Sequence, residues 1–516
     1  MVAPFLQRAI PADVWQRVPC FIVHPGVPGD RGPSSLDWAI HDGEATWGVT
    51  VLQAVAEMDA GPVWAHERFA MRAASKSSLY RRELTSAAAR AVLAAVARFE
   101  ADPSPPAQPE PDPRGRWRPL MTQAERAIDW QRHGMAAVLR RIRAADGSPG
   151  VLDQLFGTPC RLFDAHAQPL CRAHEPGRVV ARHEGAVLRA THDGAVWIGH
   201  VRRAEPADAL KLPATLAFAE QAAALPAWPL PGEAGAPACE DVRHEAVGGV
   251  RVVHFPFHNG AMSTTQCERL NAALQGALAR PERVLLLMGG PEFWSNGIHL
   301  HAIEAAASPA DESWRNILAI DELTQTLIEA TDRLVIAAMQ GNAGAGGVFM
   351  ALAADRVWAR DGVLLNPHYK NMGNLFGSEY WTYLLPRRLK AATVDDVMGR
   401  RLPMGAAQAQ AAGLVDEVLA GSADGFAGEV LARAQAWAAD PGLPALLAAK
   451  QLRREQDEAQ RPLVRYRTDE LDRMRRNFYG FDPSYHIARS NFVRRVPHSW
   501  TPRHLAVHRG SPLPRA

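Results

Sequence analysis

Proline sets the limits on how this chain can fold. Ala101 to Arg114 carries six prolines, each of which locks φ and removes an N–H donor, so neither a helix nor a central strand can run through it. It reads as a stiff linker. A second stretch rich in Pro, Gly and Ala, Leu225 to Ala238, interrupts the chain again. The expected segments are 1–114 (a core with its linker), 115–238, 239–420 and 421–516. With 516 residues and a prior of about 150 residues per domain, roughly three domains are expected from length; the boundary near Gly421 comes from the family resemblance given below.

Composition narrows the function classes. Lys+Arg number 57 against 55 Asp+Glu, so no strong field favours nucleic acid or an anionic membrane. Small-molecule substrates are the default expectation. Five scattered cysteines without C-x-x-C spacing fit a reducing compartment. No apolar run approaches the roughly 18 residues of a membrane span, and the opening M-V-A-P-F-L-Q-R-A-I-P lacks the shape of a signal peptide. The expected location is the cytoplasm.

In the first segment, Cys20–Val23 is an apolar run that stops at His24-Pro25-Gly26, a strand feeding an irregular loop. Gly48–Val55 reads as a second strand, and Ser77–Phe99 as a helix with Leu84, Ala88, Ala91, Val92, Ala95 and Val96 on one apolar face. Asp59 follows the second strand in a Gly-Pro turn. In an open parallel sheet ligands bind at the carboxyl ends of strands, which would let His24 and Asp59 meet at one edge. Taken alone, such a pair fits capping or plain hydrogen bonding better than catalysis.

The flanking residues add to this. C-F-I-V-H-P-G-V-P-G-D-R-G-P (Cys20–Pro33) and L-Q-A-V-A-E-M-D-A-G-P-V (Leu52–Val63) resemble the folate-dependent formyltransferases. That family's pattern is N-x-H-P, then a proline and R-G, then L-D-x-G. The resemblance implies catalytic roles for His24 and Asp59 and a folate-side role for Arg31-Gly32. Ile22 stands where the family has its catalytic Asn, so an amide that binds the oxyanion is missing. A thiol acceptor, with a pKa of about 8.5, is partly thiolate at neutral pH and needs less activation than an amine. His24 would then stabilise the oxyanion or protonate the departing folate nitrogen, with Asp59 fixing its tautomer. Relative to this family the chain opens late, and the first strands of the sheet are expected to be missing, through a start assigned too far downstream or a crippled first site.

Leu120 to about Arg203 resembles the small C-terminal domain of formyltransferases: A-I-D-W (Ala127–Trp130), I-R-A-A-D-G-S-P-G (Ile142–Gly150), then short strands such as Ala186–Ala190 and Ala195–His200. Regular strands with Gly turns point to a small barrel. In methionyl-tRNA formyltransferase the comparable domain contacts RNA. Here neither interleaved aromatics nor a concentrated basic face supports that role.

From Val250 the pattern changes. R-V-V-H-F leads into N-G-A-M-S (Asn259–Ser263), Arg283–Met288 and Leu334–Met339 are apolar strands, and F-W-S-N-G-I-H-L-H (Phe293–His301) precedes Q-G-N-A-G-A-G-G-V-F-M-A-L-A-A-D (Gln340–Asp355). Glycine loops before helices leave backbone N–H groups free to face a ligand. A dinucleotide loop is the competing reading, but the spacing is not G-x-G-x-x-G. These motifs resemble the crotonase (enoyl-CoA hydratase/isomerase) superfamily, and the resemblance implies an oxyanion hole from the N–H groups of Ile298 and Gly346, with Asn259 in the CoA-binding loop. Phe349 replaces one hydratase glutamate, and the second glutamate region reads N-P-H-Y-K-N-M-G-N-L-F-G-S-E (Asn366–Glu379). The pair needed to add water is absent from its expected places, while Tyr369 and Glu379 stand nearby. His299 and His301 lack the ligand set of a metal site, and no metal is expected.

Taken together, the chain resembles the hydrogenase maturation factors HypX and HoxX over nearly its whole length. The expected fold is multidomain α/β: an incomplete Rossmann-like formyltransferase core, a small β-barrel domain, and a crotonase-like spiral α/β domain with a helical C-terminal tail. The family resemblance implies 10-formyltetrahydrofolate as formyl donor and coenzyme A as acceptor. Formyl-CoA would then be split to carbon monoxide and CoA, supplying the CO ligand of the [NiFe]-hydrogenase iron. Glu379 and Tyr369 would act as base and acid, in either order, and Arg495 in the tail would pair with CoA phosphates. Other hydrogenase maturation proteins are the implied partners. Two alternatives stand beside this reading: a formyltransferase fused to a conventional acyl-CoA hydratase/isomerase, and a non-catalytic maturation scaffold.

Overall fold

The computed structural model describes residues 1–6, 9–390, 392–399 and 401–496. The chain divides into two compact units, Met1–Glu240 and Asp241 onward.

The first unit holds two sheets. One is four-stranded in the order β1 (Val2–Pro4), β2 (Phe21–His24), β3 (Thr46–Gln53), β4 (Val63–Ala70). β1 runs parallel to β2, but β2–β3 and β3–β4 are antiparallel. This corrects the parallel arrangement expected for the His24 and Asp59 strands: apolar runs show which residues are buried, not which way neighbouring strands run. Because His24 pairs with Thr50 and Phe21 with Gln53, β3 ends at the far end of β2. The return segment 54–62 carries Asp59 back. The expected helix Ser77–Phe99 is interrupted: Lys76–Leu79 is α-helical, Tyr80–Leu84 widens into a π-turn, and Thr85–Ala101 continues as α-helix. Its buried stripe Ala87, Ala88, Ala91 and Ala95 packs on Val23, Val49, Val51 and Trp64.

The proline-rich stretch does more than link. Its far end lies along the loop after β2, with Asp112 N–H donating to Pro28 O, Arg31 N–H to Arg116 O and Arg118 N–H to Arg31 O. Beyond it, six antiparallel strands form the second sheet: β5 (Val151–Leu155), β6 (Thr158–Gln168), β7 (Val179–His183), β8 (Ala186–Thr191), β9 (Gly194–Arg203) and β10 (Leu212–Pro213). Its order is β5-β6-β9-β8-β7, with β10 on β9. Helix Met135–Ala145 buries Val138, Leu139 and Ile142 against it.

The second unit is built on β11 (Arg243–Val247), β12 (Val250–Phe255), β13 (Val284–Gly289), β15 (Leu334–Met339), β17 (Arg356–Arg360) and β20 (Glu417–Leu419), paired in that order. All but the first pair are parallel. β13 and β15 are buried along their whole length, as expected of parallel strands covered on both faces. A short second layer pairs β14 (Phe293–Ser295), β16 (Asn342–Gly344), β18 (Leu364–Asn366) and β19 (Met404–Gly405). The C-terminal helices Phe426–Ala438, Leu443–Gln460, Leu463–Tyr479 and Ser484–Val493 belong to this same unit. Among the described residues no helix is long and apolar enough to cross a membrane.

Candidate functional site

In each unit the expected site residues lie among buried ionisable groups beside glycine-bearing loops. In the first, His24 ends β2 and is 4% exposed. Its Nε2 lies 2.9 Å from Asp30 Oδ2 and its Nδ1 3.6 Å from Asp59 Oδ2. The same Asp59 oxygen accepts the Gly32 N–H at 3.2 Å. His24 and Asp59 are thus neighbours, but the 3.6 Å gap is longer than a hydrogen bond, and the carboxyl group hydrogen-bonded to the ring is that of Asp30. Asp30, which sequence reasoning did not single out, sits against the other ring nitrogen. Gly26 makes this possible: a Cβ there would lie 2.4 Å from Asp30 Oδ2 and 2.5 Å from His24 Nε2. Ile22 shares the His24 face of the strand, two residues away, so methyl groups stand where an amide was expected. Arg31 pairs with Glu57 at 2.7 Å near the surface.

In the second unit, two loops meet. Met262 N–H donates to Gly297 O at 2.9 Å, Gly297 N–H donates to Ser295 Oγ at 3.0 Å, and a Cβ on Gly297 would be 3.4 Å from Gly346 N. Gly346 opens the helix Gly346–Leu352, whose first N–H groups have no intrahelical acceptor. The Ile298 and Gly346 segments are therefore neighbours. Ala345, at φ 46°, turns the chain between β16 and that helix in a conformation that costs a non-glycine residue about 1–3 kcal/mol.

Glu379 faces this loop. A Cβ on Gly346 would lie 2.2 Å from Glu379 Oε1, so only glycine leaves room for the carboxyl group. Its other oxygen accepts the Tyr369 hydroxyl at 2.5 Å and the Ser378 N–H at 3.2 Å. Phe349 stacks on the Tyr369 ring, 5.5 Å between centroids and 19° between planes, and so walls the tyrosine.

The backbone at Glu379 and Tyr380 is left-handed at both residues, φ 62° and 57°, and two carboxylates from separate helices hold it. Asp321, on Pro309–Glu329, accepts the Glu379 N–H at 2.7 Å. Glu470, on Leu463–Tyr479, accepts the N–H groups of Tyr380 and Thr382 at 2.9 and 2.8 Å. Burial, with Asp321 nearby, pushes Glu379 up to about 8. Burial pushes Asp321 to about 7 and raises Glu470 and Tyr369 well above their ordinary values. Asp321 and Glu470 were also missed from sequence. Their signal is an acid within a buried helical stripe, Asp321 among Ile317, Ile320, Leu323 and Thr324 and Glu470 before Met474 and Phe478.

The remaining expected residues are less convergent. Asn259, at φ 54°, has an exposed side chain, and its carbonyl accepts from Asn296 Nδ2. Arg495 is exposed just past the helix Ser484–Val493. His299 caps the helix Leu300–Ala305, its Nδ1 accepting the Ala302 N–H, which gives it a structural task apart from any metal.

Fold and sites define a two-part enzyme that joins a formyltransferase-like unit to a crotonase-like one. The Enoyl-CoA hydratase/isomerase family matches residues 245–481, and the Formyl transferase, C-terminal domain family matches residues 120–211. The hydrogenase maturation factor HoxX of Bradyrhizobium diazoefficiens is 57% identical over 514 residues, 99% of this chain and 88% of that protein. The chain belongs to the HoxX/HypX family of hydrogenase maturation factors. The crystal structure of HypX from Aquifex aeolicus in complex with tetrahydrofolic acid superposes with a TM-score of 0.92 at 43% identity, covering 100% of this chain and 90% of that one. A methionyl-tRNA formyltransferase of Ralstonia nicotianae is 30% identical over 189 residues, 36% of this chain and 58% of its own.

Proposed function

We propose that this protein makes carbon monoxide for the iron of [NiFe]-hydrogenase in two steps. The first unit moves the formyl group of 10-formyltetrahydrofolate to the thiol of coenzyme A, and the second splits formyl-CoA into CO and CoA. The folate assignment is supported by the tetrahydrofolate complex of the related HypX and by the His24–Asp59 pair.

The second step rests on one observation: Glu379 and Tyr369, hydrogen-bonded to each other, stand against Gly346 while Phe349 occupies the place of a hydratase glutamate. Adding water needs a pair of groups to position it. Decarbonylation needs instead a base for the formyl hydrogen and a proton for the departing sulfur. Glu379 takes the formyl proton as the C–S bond breaks, the carbon leaves as CO, and the thiolate takes that proton from Glu379, which restores the carboxylate. Tyr369, donating to Glu379 Oε2, orients that carboxylate so that Oε1 faces the Gly346 loop. The N–H groups of Ile298 and Gly346 hold the thioester oxygen. Removing the base by Glu379→Gln is expected to stop CO release from supplied formyl-CoA while formyl-CoA still forms from folate and CoA. Undiminished CO release by that variant would rule the assignment out.

A further inference from the structure

An imidazole has two ring nitrogens and, when neutral, one hydrogen to donate. His24 faces a carboxyl group at each: Asp30 Oδ2 at 2.9 Å from Nε2 and Asp59 Oδ2 at 3.6 Å from Nδ1. The Nε2 contact is a hydrogen bond and the Nδ1 contact is longer than one, so the group placed to exchange a proton with the ring is Asp30. The arrangement is built rather than incidental. Asp30 is 2% exposed, its N–H closes a turn onto Val27 O at 3.0 Å, and the missing Cβ of Gly26 leaves the space in which Asp30 and His24 touch. Asp30 Oδ1 is buried with no protein partner, an acceptor in a place where an unmet hydrogen bond is costly.

We infer that Asp30 is a third member of the formyl-transfer site, hydrogen-bonded to His24 Nε2 and placed to exchange a proton with it. The inference rests on the formyl-transfer reading. In the reaction the thiol sulfur bonds to the formyl carbon and loses its proton, while the carbon–nitrogen bond breaks and the folate nitrogen gains one. The Asp30–His24 pair releases a proton to the nitrogen and recovers one from the thiol. Protons balance and no oxidant or reductant is needed.

The test uses the full-length protein and Asp30→Asn, which keeps a polar group of the same shape against His24 but cannot carry the exchanged proton. Three quantities are read: formyl-CoA formed from 10-formyltetrahydrofolate and CoA, tetrahydrofolate affinity, and CO released from supplied formyl-CoA. The expected result is a fall in formyl transfer of about 100-fold or more, the usual scale of a lost acid–base group. Folate affinity and CO release should be unchanged, and Asp30→Glu should restore part of the rate. Formyl transfer equal to wild type in Asp30→Asn, or a loss matched by an equal loss of folate affinity, would overturn the role of Asp30 alone. Wild-type protein that forms no formyl-CoA would instead overturn the formyl-transfer reading beneath it.

Discussion

At the scale of single residues, the account turns on a carboxyl group kept from ionising easily. Burial first, and the Asp321 charge second, push Glu379 up to about 8. Only its carboxylate form can take the formyl proton, so CO release from formyl-CoA should rise with pH and level off above about 8. Asp321→Asn still offers an oxygen to the Glu379 N–H but removes the charge, and should move that rising limb to lower pH in a pH–rate profile. The stability linkage has the opposite sense. A carboxyl group whose folded pKa lies above its unfolded value stabilises the fold fully below the unfolded value, and that contribution is lost as pH rises through the folded one. Melting temperatures should therefore fall between about pH 4.5 and 8, the range of the Glu379 shift, and fall less steeply in Asp321→Asn. Much of this was open to reading in the sequence: Tyr369 and Glu379 were visible in N-P-H-Y to G-S-E, and Asp30 lies inside the quoted G-D-R-G. What no spacing encodes is that Asp321 and Glu470, far apart in sequence, hold adjacent N–H groups of one turn.

At the scale of elements, strand-to-helix loops do the positioning. Gly346→Ala would drive a Cβ to 2.2 Å from Glu379 Oε1, so the carboxyl group must move. CO release is expected to fall by about 100-fold, with formyl transfer in the first unit unaffected, when the two half-reactions are assayed separately. Phe349→Ala removes a fully buried ring that stacks on Tyr369 and should cost about 3–5 kcal/mol in denaturant unfolding of the second unit. The apolar runs Leu334–Met339 and Arg283–Met288 marked their strands to within a residue because buried parallel strands are continuously hydrophobic. Strand direction was not legible in the first sheet, where β2 and β3 run antiparallel. The π-turn at Tyr80–Leu84 was equally hidden, since its residues continue an ordinary helical pattern.

At the scale of the whole molecule, two units with unlike chemistry imply that the reaction can be cut in half. His24→Ala should release CO from supplied formyl-CoA but none from 10-formyltetrahydrofolate. Glu379→Gln should do the reverse, accumulating formyl-CoA from folate and CoA, as chromatography of the CoA esters would show. The direct test of the central claim is to give wild-type protein CoA and 10-formyltetrahydrofolate carrying labelled carbon in its formyl group, and to trap the gas on reduced haemoglobin. The account predicts labelled CO on the haem, and none when Glu379 is replaced by Gln. No labelled CO from the wild-type protein, with directly supplied formyl-CoA also left intact, would contradict it.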